Sequence, residues 1–216
     1  MKEWIIVGDK RVEKTLGLIK SSYLKLCRVT PPEKISVKNI CDDANINRGT
    51  FYKYYMDMPD LRYKLESQAA QRISQFITQN YSFDGTNTNT AAEAMFLYIK
   101  ENPDDAELLF GKHNASNTDS GMSLFYEYMW KAAFPNWLKK SSMPENELSL
   151  VFGYTINSIY YFLEVWQQGV VSISEERFKA LYNEVITQGI IRPVYHSVSN
   201  CSYKSVSKPQ KKSDSI

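Results

Sequence analysis

The sequence predicts an all-α fold, and three observations support this prediction. Apolar residues recur at helical spacing along most of the 216 residues, rather than in the alternating pattern of strands. Prolines, glycines and polar clusters interrupt these segments at helix-like lengths. No segment has a convincing strand pattern, and no internal repeat is found. Helices are therefore expected almost throughout, in an N-terminal part of residues 1–64 and a larger part of residues 65–196.

The first predicted helix runs from about Lys10 to Leu26. Residues three, four or seven apart share one face of a helix, and the apolar residues of this segment follow that spacing. The apolar stripe consists of Val12, Leu16, Ile19, Tyr23 and Leu26. This segment is therefore expected to be an amphipathic helix.

A second, shorter helix is predicted over Val37 to Ala44. Ser36 precedes it, and a serine hydroxyl at this position can accept a backbone N–H that the helix start leaves without a partner. Asn45 tolerates the left-handed backbone conformation of a sharp turn, and Ile46 can fill the corner between the helices. The chain is therefore expected to turn sharply after Ala44.

Asn47 is expected to cap a third helix, from Arg48 to Tyr55. Phe51 and Tyr55 are four residues apart and share its inner face. The other side chains are left outside: Gly49 and Lys53 opposite, Thr50 and Tyr52 beside them, Arg48 and Tyr54 at the sides. Two short helices joined by a tight turn are the layout of a helix-turn-helix motif that reads DNA. Gly49 costs helix stability, but its missing side chain would let this helix come close to a DNA strand.

The fourth helix has its own start signal. Asp57 precedes Pro59, a residue favoured in the first turn of a helix, and Asp60 places a carboxylate where it complements the helix dipole. The run INRGTFYKYY followed by this D-x-P-D-L start resembles the DNA-binding domain of TetR/AcrR-type transcriptional regulators. The resemblance covers about residues 10 to 65, and the rest of the chain is similar in its helical character.

The resemblance implies a three-helix helix-turn-helix DNA-binding domain over residues 1–64 and a helical ligand-binding and dimerisation domain over residues 65–196. It implies a homodimer that represses transcription at a palindromic operator and is released by a small-molecule effector. Carried over by position, it implies seven contacts with double-stranded DNA: Ser36, Arg48, Gly49, Thr50, Tyr52, Lys53 and Tyr54. Thr50, Tyr52 and Lys53 would face the major groove, Ser36, Arg48 and Tyr54 would lie at phosphates or groove edges, and Gly49 would allow a close approach.

The sequence departs from the family pattern at the start of the fourth helix. Many relatives have a lysine there that grips a phosphate, whereas this chain has Met56 and Met58 and no lysine until Lys64. An alternative function therefore stays open. It is a protein-interaction or co-regulator module with the same fold that has lost ligand control or DNA binding.

Charge is unevenly distributed along the chain. Residues 1–64 contain 13 Lys and Arg against 8 Asp and Glu, whereas residues 65–200 contain 9 against 15. A basic N-terminal part on an acidic remainder suits a protein whose N-terminal part meets phosphate backbones. An excess of this size also arises by chance, so it supports the helix-turn-helix assignment without establishing it.

Helices are predicted through the rest of the chain, and Pro135 is expected to stop one of them. Ser174 is expected to cap the last one, with Phe178, Leu181, Val185 and Ile186 facing inward. The predicted ranges of these helices are Pro59 to about Tyr81, Thr90 to Glu101, Ala106 to Phe110, Gly121 to Phe134, Asn146 to Gln168 and Ser174 to Gln188. The Ser- and Lys-rich tail of residues 197–216 is expected to be flexible.

The middle of the chain is rich in aromatic residues. They either line an effector pocket, as the resemblance implies, or form an ordinary helical core, which aromatic residues also dominate. The candidates for pocket lining are Phe96, Tyr98, Phe110, Phe125, Tyr128, Trp130 and Trp137.

The helix over residues 146–168 is apolar on more than one face, and such a helix must bury more than one face. A two-fold interface with a second copy would cover the surplus. The candidate interface residues, on this helix and the next, are Ile156, Ile159, Phe162, Leu163, Trp166, Leu181 and Val185.

The remaining features argue against an enzyme and against a membrane protein. The two histidines lie in a polar loop and near the tail, and no catalytic, cofactor-binding or metal-binding motif is present. Cys27, Cys41 and Cys201 fit neither a zinc pattern nor a disulfide framework, and the first two are expected to be buried. No signal peptide or membrane-spanning run is found, so a cytoplasmic location is expected.

Overall fold

Helices form every regular element of the ranges that the computed structural model describes, which are residues 10–80, 89–111, 118–182 and 184–185. A 3₁₀ turn, Pro32–Lys34, lies between the first two α-helices. The α-helices in these ranges are α1 (Lys10–Cys27), α2 (Val37–Ala44), α3 (Arg48–Tyr52), α4 (Met58–Asn80), α5 (Asn89–Glu101), α6 (Pro103–Phe110), α7 (Thr118–Lys140), α8 (Glu145–Gln167) and α9 (Glu175–Tyr182). The all-α prediction is confirmed for this part of the chain.

The first three helices and the start of α4 form a small unit, called the head below. α1 packs on α2, and α2 packs on α3. Ile19 and Tyr23 of α1, Ile40 of α2 and Phe51 of α3 are each at most 1% exposed. These apolar side chains come from three separate short segments, so the tertiary contacts, rather than helix length, hold the head together.

α4 connects the head to the remaining helices, called the body. Leu61 and Leu65 are buried near its start, and Ile73 and Ile77 are buried in its second half. α4 packs against α5, α6 and α7 in turn. One apolar core consequently extends from α1 to α9, and the expected domain boundary at residue 64 falls inside a continuous helix.

α7 differs from its prediction, because it continues through Pro135 to Lys140. A proline inside a helix cannot donate the backbone hydrogen bond to the residue four positions earlier, which costs about 3 kcal/mol. Here Phe134 and Trp137, on either side of the proline, are both buried against Phe152 of α8, with ring centroids 5.2 Å and 5.1 Å away. This packing stabilises the helix beyond the proline.

α3 is shorter than predicted, since it ends at Tyr52 rather than Tyr55. The Lys53 amide bonds the Thr50 carbonyl at 3.3 Å and the Tyr54 amide bonds the Phe51 carbonyl at 3.0 Å. These bonds span three residues and not four, so the chain tightens after Tyr52 and leaves the helix.

Two smaller differences concern the body, the start of α6 and the exposure of Val185. α6 begins at Pro103 rather than Ala106, because the first helical position needs no N–H donor. Ser174 caps α9 as predicted, with its hydroxyl oxygen accepting the Arg177 amide at 3.2 Å. Phe178 is buried as expected, but Val185 is 46% exposed rather than inward. Ile186, the predicted helix end at Gln188 and the tail lie outside the described residues.

Among the helices that the structure describes, none combines the length and the apolar character that crossing a membrane requires.

Candidate nucleic-acid interface

Ser36 begins α2 with a reciprocal cap. Its hydroxyl oxygen accepts the Asn39 amide at 3.2 Å, and the Asn39 side-chain oxygen accepts the Ser36 amide at 2.9 Å. The Ser36 hydroxyl also donates to that same oxygen at 2.6 Å. Ser36 is exposed, but these bonds show that its hydroxyl already serves the helix start.

The turn between α2 and α3 has the predicted geometry. Asn45 has φ 51° and ψ 49°, and among the described residues it is the only non-glycine with a positive φ. Its amide bonds the Cys41 carbonyl, which satisfies the end of α2. Ile46 is partly buried against the core. The chain therefore turns within the three residues 45–47, which brings the start of α3 close to the end of α2.

Asn47 caps α3 and also restrains Thr50. The Asn47 side-chain oxygen accepts the Thr50 amide at 2.7 Å and the Thr50 hydroxyl at 3.0 Å. On the inner side, Phe51 is fully buried and Tyr55 is 7% exposed, with their ring centroids 5.5 Å apart. Burial, together with the nearby Asp60 charge, raises the pKa of Tyr55 to about 12. Cap and anchors together fix which side of α3 faces out.

The outward side of α3 carries free cations. Arg48, Gly49 and Lys53 are exposed, and Tyr52 is 55% exposed. Neither Arg48 nor Lys53 forms an ion pair with any described residue. Two uncompensated positive charges beside an exposed aromatic ring can approach a phosphate backbone without first breaking a salt bridge.

Gly49 has a structural role besides the one predicted. A Cβ at this position would lie 3.3 Å from the Asn47 side-chain oxygen that caps the helix. A larger residue would therefore press on the cap as well as on any surface that α3 approaches. Sequence reasoning attributed the glycine to DNA alone.

The junction between α3 and α4 was predicted only in part, since Asp57 and Asp60 were expected to mark the start of α4 as a variant capping box, whereas the contacts of Lys64 were not expected. Asp57 accepts the Asp60 amide at 2.8 Å, and Asp60 in turn accepts the Met56 amide at 2.8 Å. Lys64 donates to Asp60 at 2.9 Å and to the Tyr54 carbonyl at 3.1 Å. Burial opposes ionisation of Asp60, but the hydrogen bonds from Lys64 and Met56 hold its pKa below the ordinary value. The i, i+4 spacing of Asp60 and Lys64 was the available signal.

Charge pairing leaves fewer free cations in the head than the composition implies. Lys25 pairs with Asp43, Lys64 with Asp60, and Arg62 with Glu66 within α4. Lys34 and Lys38 are exposed and form no ion pair with any residue that the structure describes. The free positive charge of the described head therefore lies on a subset of its basic residues, and that subset includes Arg48 of α3 and Lys53, which follows α3 directly.

The seven aromatic candidates for an effector pocket do not form one group. Phe110 contacts Phe125 at 6.2 Å, Trp130 and Trp137 both contact Phe152, and Phe96 contacts Trp166 and Phe178. Tyr98 donates to Asp105 at 2.7 Å and Tyr128 bonds Ser67 at 2.9 Å. Only Tyr128 and Trp130 are partly exposed, whereas the other five are buried. Most of these positions therefore serve as core packing.

The seven candidates for the dimer interface differ in how far they are exposed on a single protomer. Ile156, Ile159 and Leu163 are at most 2% exposed within a single protomer, so they have no surface to offer a second copy. Phe162 and Trp166 are half-buried against Phe178 of α9 at 5.5 Å and 4.7 Å. Leu181 is half-buried and Val185 is exposed. The inner face of α8 therefore packs into the core of its own protomer.

The outward face of α8 carries apolar residues that sequence reasoning did not select. Leu150, Tyr154 and Tyr161 are 77%, 65% and 62% exposed. At about 100° per residue they lie within roughly 40° of one another around the helix. They therefore form a single exposed stripe, called the α8 stripe below.

A buried carboxylate connects the head to the body. Asp105 of α6 is 3% exposed, and both of its oxygens accept hydrogen bonds from Arg72 of α4, at 2.7 Å and 2.8 Å. Lys20 of α1 lies 3.3 Å away, and Tyr98 of α5 donates to it. Burial opposes ionisation, but these partners hold the pKa of Asp105 below its ordinary value. Four helices therefore meet at one charge.

The two cysteines that the structure describes have inert surroundings. Cys41 is 3% exposed and Cys27 is half-buried. Burial raises the pKa of both thiols, that of Cys27 to about 11, so neither is ionised at neutral pH. Cys201 lies outside the described residues.

Comparison with known proteins supports the fold through structure and not through sequence. No family model and no curated protein sequence matches the chain. One similar solved structure is the dihydroxyacetone kinase operon activator DhaS, with a TM-score of 0.53 at 19% identity over 82% of this chain and 96% of that one. Another is a TetR transcriptional regulator from Streptococcus agalactiae 2603V, with a TM-score of 0.56 at 17% identity and the same coverage. The chain therefore has the fold of the TetR-type transcriptional regulators.

Proposed function

We propose that this protein is a transcription regulator that binds double-stranded DNA through α3. The observation that carries the proposal is the outward side of α3, where Arg48 and Lys53 are exposed and free of ion pairs while Phe51 and Tyr55 hold the helix from behind. A helix presented in this way can enter the major groove with its cations beside the phosphates. Thr50 and Tyr52 are the neighbouring side chains that would meet base edges, and Ser36 and Tyr54 would lie at the groove edge.

The regulator acts as a homodimer in this proposal. One α3 makes too few contacts to select a site, whereas two related by a two-fold axis read a palindrome with half-sites about 34–36 Å apart. The α8 stripe supports dimerisation, because an exposed apolar row on a helix is suited to pairing with its own copy about a two-fold axis. The interface is thus proposed on the outer face of α8.

The proposed outcome of binding is repression, because a dimer seated on a promoter excludes polymerase without further contacts. The DhaS title names that protein as an activator, so a reporter gene is needed to decide the sign for this chain. A promoter that carries the selected site should lose expression when the protein is present. Increased expression would establish activation instead and would leave the DNA-binding proposal intact.

A small-molecule effector is proposed to enter the body beside Tyr128 and Trp130. These are the two aromatic candidates with exposed surface, and the Tyr128 hydroxyl, bonded to Ser67 of α4 at 2.9 Å, can be redirected to a ligand. An effector releases DNA only if it binds the DNA-free conformation more tightly than the bound one. The proposed regulator is not an enzyme and works in the cytoplasm, where its DNA target would lie.

The test of DNA binding begins with selection of a duplex from a random-sequence library by the full-length protein. Lys53→Met should weaken binding of that duplex about tenfold and make the slope of log affinity against log salt less negative by about 0.9 per protomer. Lys139→Met is the matched control, because Lys139 is an exposed lysine of the body, and it should change neither quantity. Failure to select any duplex at low salt would favour the protein-interaction module.

A further inference from the structure

Lys64 of α4 contacts both its own helix and the segment that follows α3. Its ammonium group donates to Asp60 at 2.9 Å and to the backbone carbonyl of Tyr54 at 3.1 Å. It also lies 5.5 Å from the centroid of the Tyr55 ring. Tyr54 and Tyr55 belong to the segment just after α3, whereas Lys64 and Asp60 belong to α4. This one side chain therefore joins two elements.

Asp60 extends the same junction in the other direction. The Asp60 oxygen that accepts the Lys64 bond also accepts the Met56 amide, at 2.8 Å. The Asp60 amide is in turn bonded to Asp57 at 2.8 Å. Tyr54, Met56 and Asp57 are thus each joined by a hydrogen bond to the first two turns of α4. The segment between α3 and α4 is therefore held against α4.

α3 needs such a support because it is very short. A helix of five residues has too few internal hydrogen bonds to be stable alone. The Thr50 and Phe51 carbonyls of α3 accept the amides of the three residues that follow the helix, and the partial negative charge at a helix C-terminus attracts a cation. Lys64 supplies a positive charge near this end and a donor to the Tyr54 carbonyl just beyond it, while Asn47 caps the other end.

We propose that Lys64 is a positioning residue for DNA recognition, which it supports by holding the C-terminal end of α3 against α4, and that it makes no phosphate contact itself. This inference rests on the proposed DNA-binding function. Positions 56 and 58 are methionines in this chain. In this proposal Lys64 stabilises α3 itself, whereas a lysine at either of those positions would stabilise the complex with DNA. Lys53 is the contrasting case, since its side chain is exposed and forms no ion pair with a described residue.

Three variants separate positioning from phosphate contact. Lys64→Met removes the charge and the donor, Lys64→Arg keeps both, and Lys53→Met is the matched control at the exposed position. With the selected duplex, Lys64→Met should weaken binding about tenfold while leaving the slope of log affinity against log salt unchanged. Lys64→Arg should restore affinity to within about twofold of the original protein, and Lys53→Met should change the slope.

Amide hydrogen exchange of the DNA-free protein gives a readout that does not depend on DNA. Lys64→Met should speed exchange of the Tyr54 and Tyr55 amides about fivefold, as expected from the loss of one hydrogen bond. Exchange at the buried residues Ile19 and Ile73 should stay the same, which shows that the variant remains folded. Lys53→Met should leave all of these amides unchanged.

Two results would overturn the positioning role. A salt slope that becomes less negative by about 0.9 per protomer in Lys64→Met would mean that Lys64 binds a phosphate. Unchanged exchange at Tyr54 and Tyr55 would mean that it does not hold the end of α3. Failure of the unaltered protein to select a duplex would overturn the proposed function instead, and the exchange experiment would still decide whether Lys64 supports α3.

Discussion

Single residues determine how α3 is presented, and Asn47 is the clearest case. One side-chain oxygen of Asn47 accepts both the amide and the hydroxyl of Thr50. Gly49, between them, leaves room for this arrangement, because a Cβ there would lie only 3.3 Å from the same oxygen. The start of α3 therefore depends on an asparagine and a glycine that act together.

Substitution of Asn47 should separate stability from DNA affinity. Asn47→Ala should lower the free energy of unfolding by about 1 kcal/mol, because the cap is lost. Asn47→Asp should keep the stability, since a carboxylate also caps a helix and suits its dipole, but it should weaken DNA binding by adding a negative charge beside Arg48. Urea denaturation and titration with the selected duplex measure the two effects. If Asn47→Ala were as stable as the original protein, the cap would contribute nothing to stability.

The position at which a helix ends depends on packing as well as on local sequence signals, as α7 shows. Pro135 is exposed, yet α7 continues beyond it because Trp137 is buried against Phe152 of α8. Local rules predict a helix end at this proline. Contacts between α7 and α8 reverse that outcome, since they bury aromatic side chains on both sides of the interruption.

Replacement of Pro135 tests this balance. Pro135→Ala should raise the free energy of unfolding by roughly 1–3 kcal/mol, because it restores a helical N–H donor and removes the ring. Asn136→Ala, at the next exposed position of the same helix, is the control and should give less than about 0.7 kcal/mol. Urea denaturation measures both. A less stable Pro135→Ala protein would show that Trp137 needs the distortion made by the proline to reach Phe152.

At the scale of the whole molecule, Asp105 connects the head to the body. It joins α1, α4, α5 and α6 through Lys20, Arg72 and Tyr98. The pKa of this carboxylate is lower in the folded chain than in the unfolded one. Its stabilising effect is therefore complete above the unfolded value, near pH 4, and is lost as the pH falls through the lower folded value.

Asp105→Asn should destabilise the protein at neutral pH by about 2 kcal/mol, less than the loss of a fully buried ion pair because Arg72 is partly exposed. It should also reduce the loss of stability on acidification below pH 4. Asp104→Asn is the matched control, because Asp104 is 52% exposed and meets Lys20 at 3.4 Å, and it should have little effect. Urea denaturation between pH 3 and pH 7 measures both variants. The same acid profile in Asp105→Asn and the original protein would contradict the assignment.

The α8 stripe gives a prediction about assembly. Tyr154→Glu combined with Tyr161→Glu should convert the proposed dimer to a monomer, because two charges would enter each half of an apolar interface. Tyr63→Glu, an equally exposed tyrosine of α4 at 56%, should leave the dimer intact. Sedimentation velocity measures the assembly state of each variant. A dimer that survives the double change would place the interface elsewhere.

The sequence by itself determined the features that depend on neighbouring residues. Ser36, Asn45 and Asn47 act within two to four positions of themselves, so the bounds of α2 and the turn before α3 followed from local hydrogen bonding. The burial of Phe51 followed from helical spacing, whereas Tyr55 is buried as predicted although the helix ends at Tyr52.

Only the tertiary structure decided the features that depend on distant residues. Lys20 and Asp105 are 85 positions apart, and no local pattern joins them. The packing of neighbouring helices decided three further features. These are the continuation of α7 through Pro135, the exposure of the α8 stripe, and the burial of Ile156, Ile159 and Leu163. The reason is physical, since apolar burial and ion pairing act between whatever surfaces the fold brings together, at any separation along the chain.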